Sequence, residues 1–128
     1  MEIRRKALGE GHADFGTSLL TLGSIRLAAG ASEEAEELLR RGLAILSKAL
    51  PAGNWRIADA QSRLGACLAT RDQAKEAESL LVDGYEGLQR GRGARNPRTV
   101  AALQRLVAFY EKLGNATTAA GYRAKIPH

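Results

Sequence analysis

Between Phe15 and Ala29, apolar side chains recur every three or four residues: Phe15, Leu19, Leu22, Ile25 and Ala29. That spacing puts them on one face of a helix, predicted to run from His12 to Ala29 and to stop at Gly30. A second stripe, Ala35, Leu38, Leu39, Leu43 and Leu46, predicts a helix with Ser32 as its N-cap. Glu33, Glu34, Glu36 and Glu37 fill its first turns and Arg40, Arg41 and Lys48 its later ones, as the helix dipole favours. Pro51 and Gly53 end it. Ile57, Ala60, Gln61, Leu64, Cys67 and Leu68 predict a third helix, capped by Asn54 and reaching Arg71. Asp72 is the break and the expected cap of a fourth, with Ala77, Leu80, Leu81, Tyr85 and Leu88 inside and its end near Gln89.

The run Arg90 to Arg95 then reads as a basic, glycine-broken linker. Asn96 and Pro97 are a strong helix start, with asparagine at the cap and proline in the first turn. The fifth helix carries Val100, Leu103, Leu106, Val107 and Tyr110 and closes at Gly114. A sixth runs from Ala116 to about Lys125. At the other end, residues 2–8 form a short helical pattern with Ile3 and Leu8 apolar, and Gly9, Glu10 and Gly11 are expected to break it. No stretch reads as a strand.

These helices repeat. Leu22, Leu64 and Leu106 are spaced 42 residues apart, as are Ala35, Ala77 and Ala119. Gly30, Asp72 and Gly114 occupy the turn, and His12, Asn54 and Asn96 the start of each unit. Gly23 pairs with Gly65, and Gly42 with Gly84. A recurring helix-turn-helix unit cannot bury its apolar face alone and stacks on its neighbours. The units are 12–53, 54–95 and 96–128, and residues 2–11 read as the tail of a preceding repeat, so the chain reads as part of a longer array.

Composition narrows the function classes. The 128 residues are 45% apolar, with no run long enough to span a bilayer and no secretory core at the start. The single cysteine, Cys67, forbids an intrachain disulfide and points to a reducing cytoplasmic setting. One cysteine and two histidines, His12 and His128, are too few for a structural zinc site, and no cofactor is expected. The net charge of +5 permits an anionic partner. Aromatic residues are only 5%, too few for a single-strand stacking platform, which disfavours nucleic acid.

The Leu-Gly pair, the turn glycine seven residues on and the alanine five beyond it resemble the tetratricopeptide repeat, whose usual period is ~34 residues. The longer period, together with Leu8 to His12 and Glu34 to Leu39, resembles its kinesin-light-chain type. The resemblance covers essentially the whole chain. It implies an all-α fold: antiparallel helix pairs wound into a right-handed superhelical solenoid, with first helices lining a concave groove. It places Thr17, Leu20, Thr21, Ser24 and Leu27 in that groove from the first unit. Asp59, Ser62, Arg63, Ala66 and Thr70 follow from the second, and Ala101, Gln104, Arg105, Ala108 and Lys112 from the third. The asparagines that usually grip a peptide in this subtype are absent. Leu20-Thr21, Ser62-Arg63 and Gln104-Arg105 stand there instead, and the groove grows more basic along the chain.

A scaffold that binds a protein or peptide segment, non-enzymatic and suited to carboxylates through Arg63 and Arg105, is the resulting expectation. Both arginines could instead pair within the chain, with Asp59 and Gln104. Two other classes stand beside it: self-association through exposed repeat ends (Ile3 and Leu8 at one, Tyr122 and Ile126 at the other), and a basic surface, Arg90 to Arg98, for nucleic acid or anionic lipid. Catalysis by His12, Asp14 and Ser24 is discounted, because residue types without geometry do not make a triad. Cys67 and Trp55 read as packing residues.

Overall fold

Each of the predicted helix pairs is present, although several of the predicted boundaries move; the third helix ends at Ala69 and not Arg71, and the sixth at Arg123 and not Lys125. The computed structural model describes residues 2–127, with side chains described from His12 onward. It is all-helical: α1 (Glu2–Ala28), α2 (Ser32–Ala49), α3 (Trp55–Ala69), α4 (Ala74–Arg92), α5 (Pro97–Lys112) and α6 (Ala116–Arg123). Among the described residues there is no strand, and no helix is long and apolar enough to cross a membrane.

The 42-residue interval reappears in the backbone. Asn54 and Asn96 have identical dihedrals, φ −63° and ψ 135°, and each side chain accepts a hydrogen bond from the backbone N–H two residues on. Gly30, Asp72 and Gly114 all take positive φ, at 88°, 60° and 81°. Asp72 therefore fills the left-handed turn position and does not cap α4, whose N-cap is Gln73. Ser32 likewise is the first residue of α2 and not its cap, which is Ala31. A side chain one position into the helix no longer reaches the free N–H groups from outside.

Two further expectations fail. Gly9 and Gly11 do not break the chain, since α1 runs continuously from Glu2 to Ala28. Glycine costs a helix interior only about 1 kcal/mol relative to alanine, so two of them weaken a helix without ending it. His12 accordingly lies inside a helix and not at its start. Arg90, Gly91 and Arg92 also belong to a helix, the last turn of α4, which ends at Gly93 with φ 88°.

The helices pack as hairpins α1/α2, α3/α4 and α5/α6, with α2 against α3 and α4 against α5. Glycines set the separation within the hairpins. A Cβ on Gly23 would lie 2.8 Å from Leu39 Cγ, and one on Gly65 would lie 2.8 Å from Leu81 Cγ. In the third unit Val107 stands in the glycine column and Arg123 in the leucine column. Leu39, Leu64, Leu81, Leu88 and Leu106 are almost wholly excluded from water, each contributing about 1.5–3 kcal/mol by transfer. Tyr122 stacks on Tyr110 at 5.7 Å and meets Tyr85 edge-on at 6.2 Å, closing the last hairpin.

Along the stack, α3 packs directly on both α1 and α5, whereas the backbones of α2 and α4 stay apart. The outer pair is spanned by long side chains: Arg40 donates to both carboxylate oxygens of Glu76 at 3.0 and 3.1 Å.

The predicted buried face of α1 is the largest departure. Among the described side chains its buried positions are Ala13, Gly16, Leu19, Leu20 and Gly23, of which Gly16, Leu20 and Gly23 pack on α2. Phe15, Leu22 and Ile25 are 50%, 38% and 56% exposed. A first helix in this arrangement has two apolar faces, one for its own partner and one for the preceding pair. In α3 the second face carries Leu64 and Cys67, at 1% and 0% exposure, and the Cys67 thiol donates to the Ser32 carbonyl at the start of α2. No described element covers the equivalent face of α1. Ile3 and Leu8, expected at that end, lie outside the described side chains.

Candidate binding groove

The face shared by α1, α3 and α5 is where the resemblance places a groove, and its predicted residues divide into three groups. Thr17, Thr21, Gln104, Ala108 and Lys112 are exposed, and Ser24, Leu27, Arg63, Ala66, Ala101 and Arg105 are half-buried. Leu20, Asp59 and Ser62 are buried, at 4%, 4% and 0% exposure. Leu20 faces α2, where a Cβ on Gly42 would come within 2.9 Å of it, and Ser62 lies equally close beneath Gly84 of α4. Both therefore belong to the hairpin interfaces. Thr70 is the C-cap of α3, its hydroxyl donating to the Cys67 carbonyl at 2.7 Å.

A polar network links the three helices across the face. Arg63 donates from Nε to Asp59 Oδ2 at 3.2 Å and from a terminal nitrogen to Ser24 Oγ at 2.8 Å. Arg98 donates to the same Asp59 oxygen at 2.9 Å. Arg105 donates to Ser62 Oγ at 2.9 Å, and Lys112 to the Ala69 carbonyl at 3.2 Å. Each bond from Arg63, Arg98, Arg105 and Lys112 that reaches back one unit has its acceptor 39 or 43 residues earlier. That is one repeat, displaced by a residue or a turn. Arg63 thus has its expected intrachain partner in Asp59, whereas Arg105 pairs with Ser62 and not with Gln104. Burial, and secondarily the neighbouring Arg63, pushes the Arg105 guanidinium below its ordinary pKa, while Asp59 acts in the opposite sense.

The geometry also assembles residues that the sequence reading left apart. Trp55, the first residue of α3, is surrounded by guanidiniums: Arg92, Arg98 and Arg56 lie 4.7, 5.0 and 5.6 Å from its ring centroid. A cavity of about 140 Å³ opens beside it, lined by Asp14, Thr17, Trp55, Arg56, Asp59 and Arg98 among others. A signal for this cluster was present in the repeat, because Asp14, Arg56 and Arg98 share a column at 42-residue spacing.

Metal and nucleophile chemistry find little here. Among the described residues no group of three or more His, Cys, Asp or Glu side chains is placed to hold a metal. Cys67 is buried and its thiol donates to the Ser32 carbonyl at 3.4 Å; burial raises its pKa, aided by Glu36. The chain matches no protein-family model and no curated protein.

Proposed function

We propose that the chain is a non-enzymatic scaffold of the tetratricopeptide type, wound as a right-handed superhelical solenoid, which binds a partner segment in a concave groove along α1, α3 and α5. The observation that carries this reading is the asymmetry of the stack. The first helices touch, while the outer helices α2 and α4 are spanned only by side chains. Such an arrangement bends toward the first helices and makes their shared face the inner one. The network of Asp59, Arg63, Arg98 and Arg105 ties those helices together and holds the arginines in place, which lowers the entropy lost when a partner is bound.

The test is a peptide-display selection against the intact chain, followed by substitutions at exposed groove positions. Selected peptides should lose binding on Thr21→Arg or Ala108→Arg and keep it on Arg41→Ala, which lies on α2. Peptides that ignore both groove changes, or a selection that yields none, would defeat the proposal.

The exposed Phe15, Leu22 and Ile25 favour a second reading: this face of α1 stacks on another copy of the chain, as α3 packs on α2. Sedimentation over a range of concentrations tests it. A monomer throughout ends it, and a dimer that Leu22→Glu dissociates supports it.

A further inference from the structure

We infer that the Trp55 cluster is an anchoring site for the carboxylate side chains of an acidic peptide segment, at the end of the groove where α3 and α5 begin. The inference rests on the groove reading and names the chemistry of its partner.

Arg56, Arg92 and Arg98 converge on one indole, with Arg63 and Arg105 further along the same face. The carboxylates that line the cavity beside them are Asp14 and Asp59. Asp59 is already spent, since one of its oxygens accepts from both Arg63 and Arg98. Like charges repel over these distances, and contact with an aromatic face returns only about 0.5–1 kcal/mol per cation at an exposed site. The surrounding carboxylates elsewhere are matched more closely: Arg40 has both Glu36 and Glu76. The Trp55 cluster is therefore short of anions in a way that the outer surface of α2 is not.

Size and position decide which anion. The cavity of about 140 Å³ falls below the roughly 300–1,000 Å³ of small-molecule sites. It has room for one or two carboxylate side chains, whereas a cofactor would need a larger enclosure. It opens beside Thr17, on the same face as Thr21 and Ser24, so a chain seated in the groove can reach it. Planar guanidiniums pair with carboxylates through two parallel hydrogen bonds, and Arg56 and Arg92 make no ion pair with any described carboxylate. A Cβ on Gly91 would come within 3.0 Å of Trp55 Cβ, so the last turn of α4 is packed directly on it.

Trp55 is the only tryptophan of the chain, so its emission reports on the site. The probe is a hexaglutamate peptide titrated into the intact chain, followed by tryptophan fluorescence. Saturable change is expected, with affinity falling about tenfold or more in Arg56→Gln/Arg92→Gln, where two charge-assisted contacts are lost. The control Arg41→Gln/Lys48→Gln lowers net charge equally and should leave binding intact; if it weakens binding as much, only net charge is at work and the site is refuted. Circular dichroism confirms that both variants fold. An octathymidine strand or inorganic phosphate that binds more tightly than hexaglutamate, with the same arginine dependence, would replace the acidic peptide as ligand and overturn the assignment. If hexaglutamate fails while display-selected peptides still bind in the groove, the anchor alone is lost. Failure of both removes the groove reading as well.

Discussion

Replacing Gly84 by alanine should loosen the α3/α4 hairpin measurably. A Cβ at this position would lie 2.7 Å from the Ala58 carbonyl oxygen, 2.7 Å from the Ser62 nitrogen and 2.9 Å from Ser62 Cβ. Ordinary carbon–oxygen approach is about 3.3–3.6 Å, so the overlap is roughly half an ångström or more. The two nearest atoms are backbone and cannot rotate away. The helices must separate, at a cost of about 1–3 kcal/mol for overpacking. Against this, alanine gains about 0.8–1 kcal/mol of helix propensity over glycine. The net expectation is a loss of up to about 2 kcal/mol, or several degrees of Tm for a chain of this size. Gly121→Ala is the matched control. It lies in α6 with no heavy atom within 4 Å of the added Cβ, so only the propensity gain applies and the variant should be slightly more stable. Urea unfolding followed by far-ultraviolet circular dichroism measures both. A Gly84→Ala chain at least as stable as the parent would refute the close-packing argument.

Asp72→Gly should stabilise the chain by about 0.5 kcal/mol, because a left-handed non-glycine residue is strained while glycine costs some entropy in the unfolded chain; a destabilised variant in the same urea assay contradicts this. Burial raises the pKa of both Tyr85 and Tyr110, the latter also through its 2.7 Å hydrogen bond to Glu78. Their folded values lie above the unfolded value of about 10, so the stabilisation is complete below that pH and is lost as pH rises through the folded values. Tyr85→Phe/Tyr110→Phe should flatten the alkaline decline of Tm, and an unchanged decline would count against the assignment. Cys67 should react with a disulfide reagent only as fast as the chain opens, since its thiol is buried and its thiolate disfavoured; rapid labelling of the folded chain would show the joint between α2 and α3 to be open.

Much of the fold was legible because its determinants are local and repeated. Asn54 and Asn96 cap their helices through their own side chains, and the turn positions Gly30, Asp72 and Gly114 need only a residue that tolerates positive φ. Such features act within a few residues, and a 42-residue interval tests each one against another copy. The face shared by the first helices was legible only as columns. Thr21, Gln104, Ala108 and Lys112 lie exposed on the first helices as expected, but Leu20 and Ser62 are turned into the hairpin interfaces. A difference of one helical position, about 100° around the axis, separates those outcomes, and periodicity does not resolve it when a helix has two buried faces.

Those two faces mark the division between sequence and tertiary structure. The sequence alone determined the helices, their turns, the spacing of the units and the glycines that allow close approach, because each depends on backbone geometry and side-chain size. It could not tell that Leu64 is sealed while Leu22, the same residue in the same column, stands open. That depends on whether another helix lies alongside. Nor could it bring Arg92 from the end of α4 and Arg98 from the start of α5 onto Trp55. Convergence of that kind is created by packing three helices at one edge: the 42-residue column carries Arg56 and Arg98, but only the packing brings Trp55 and Arg92 to them.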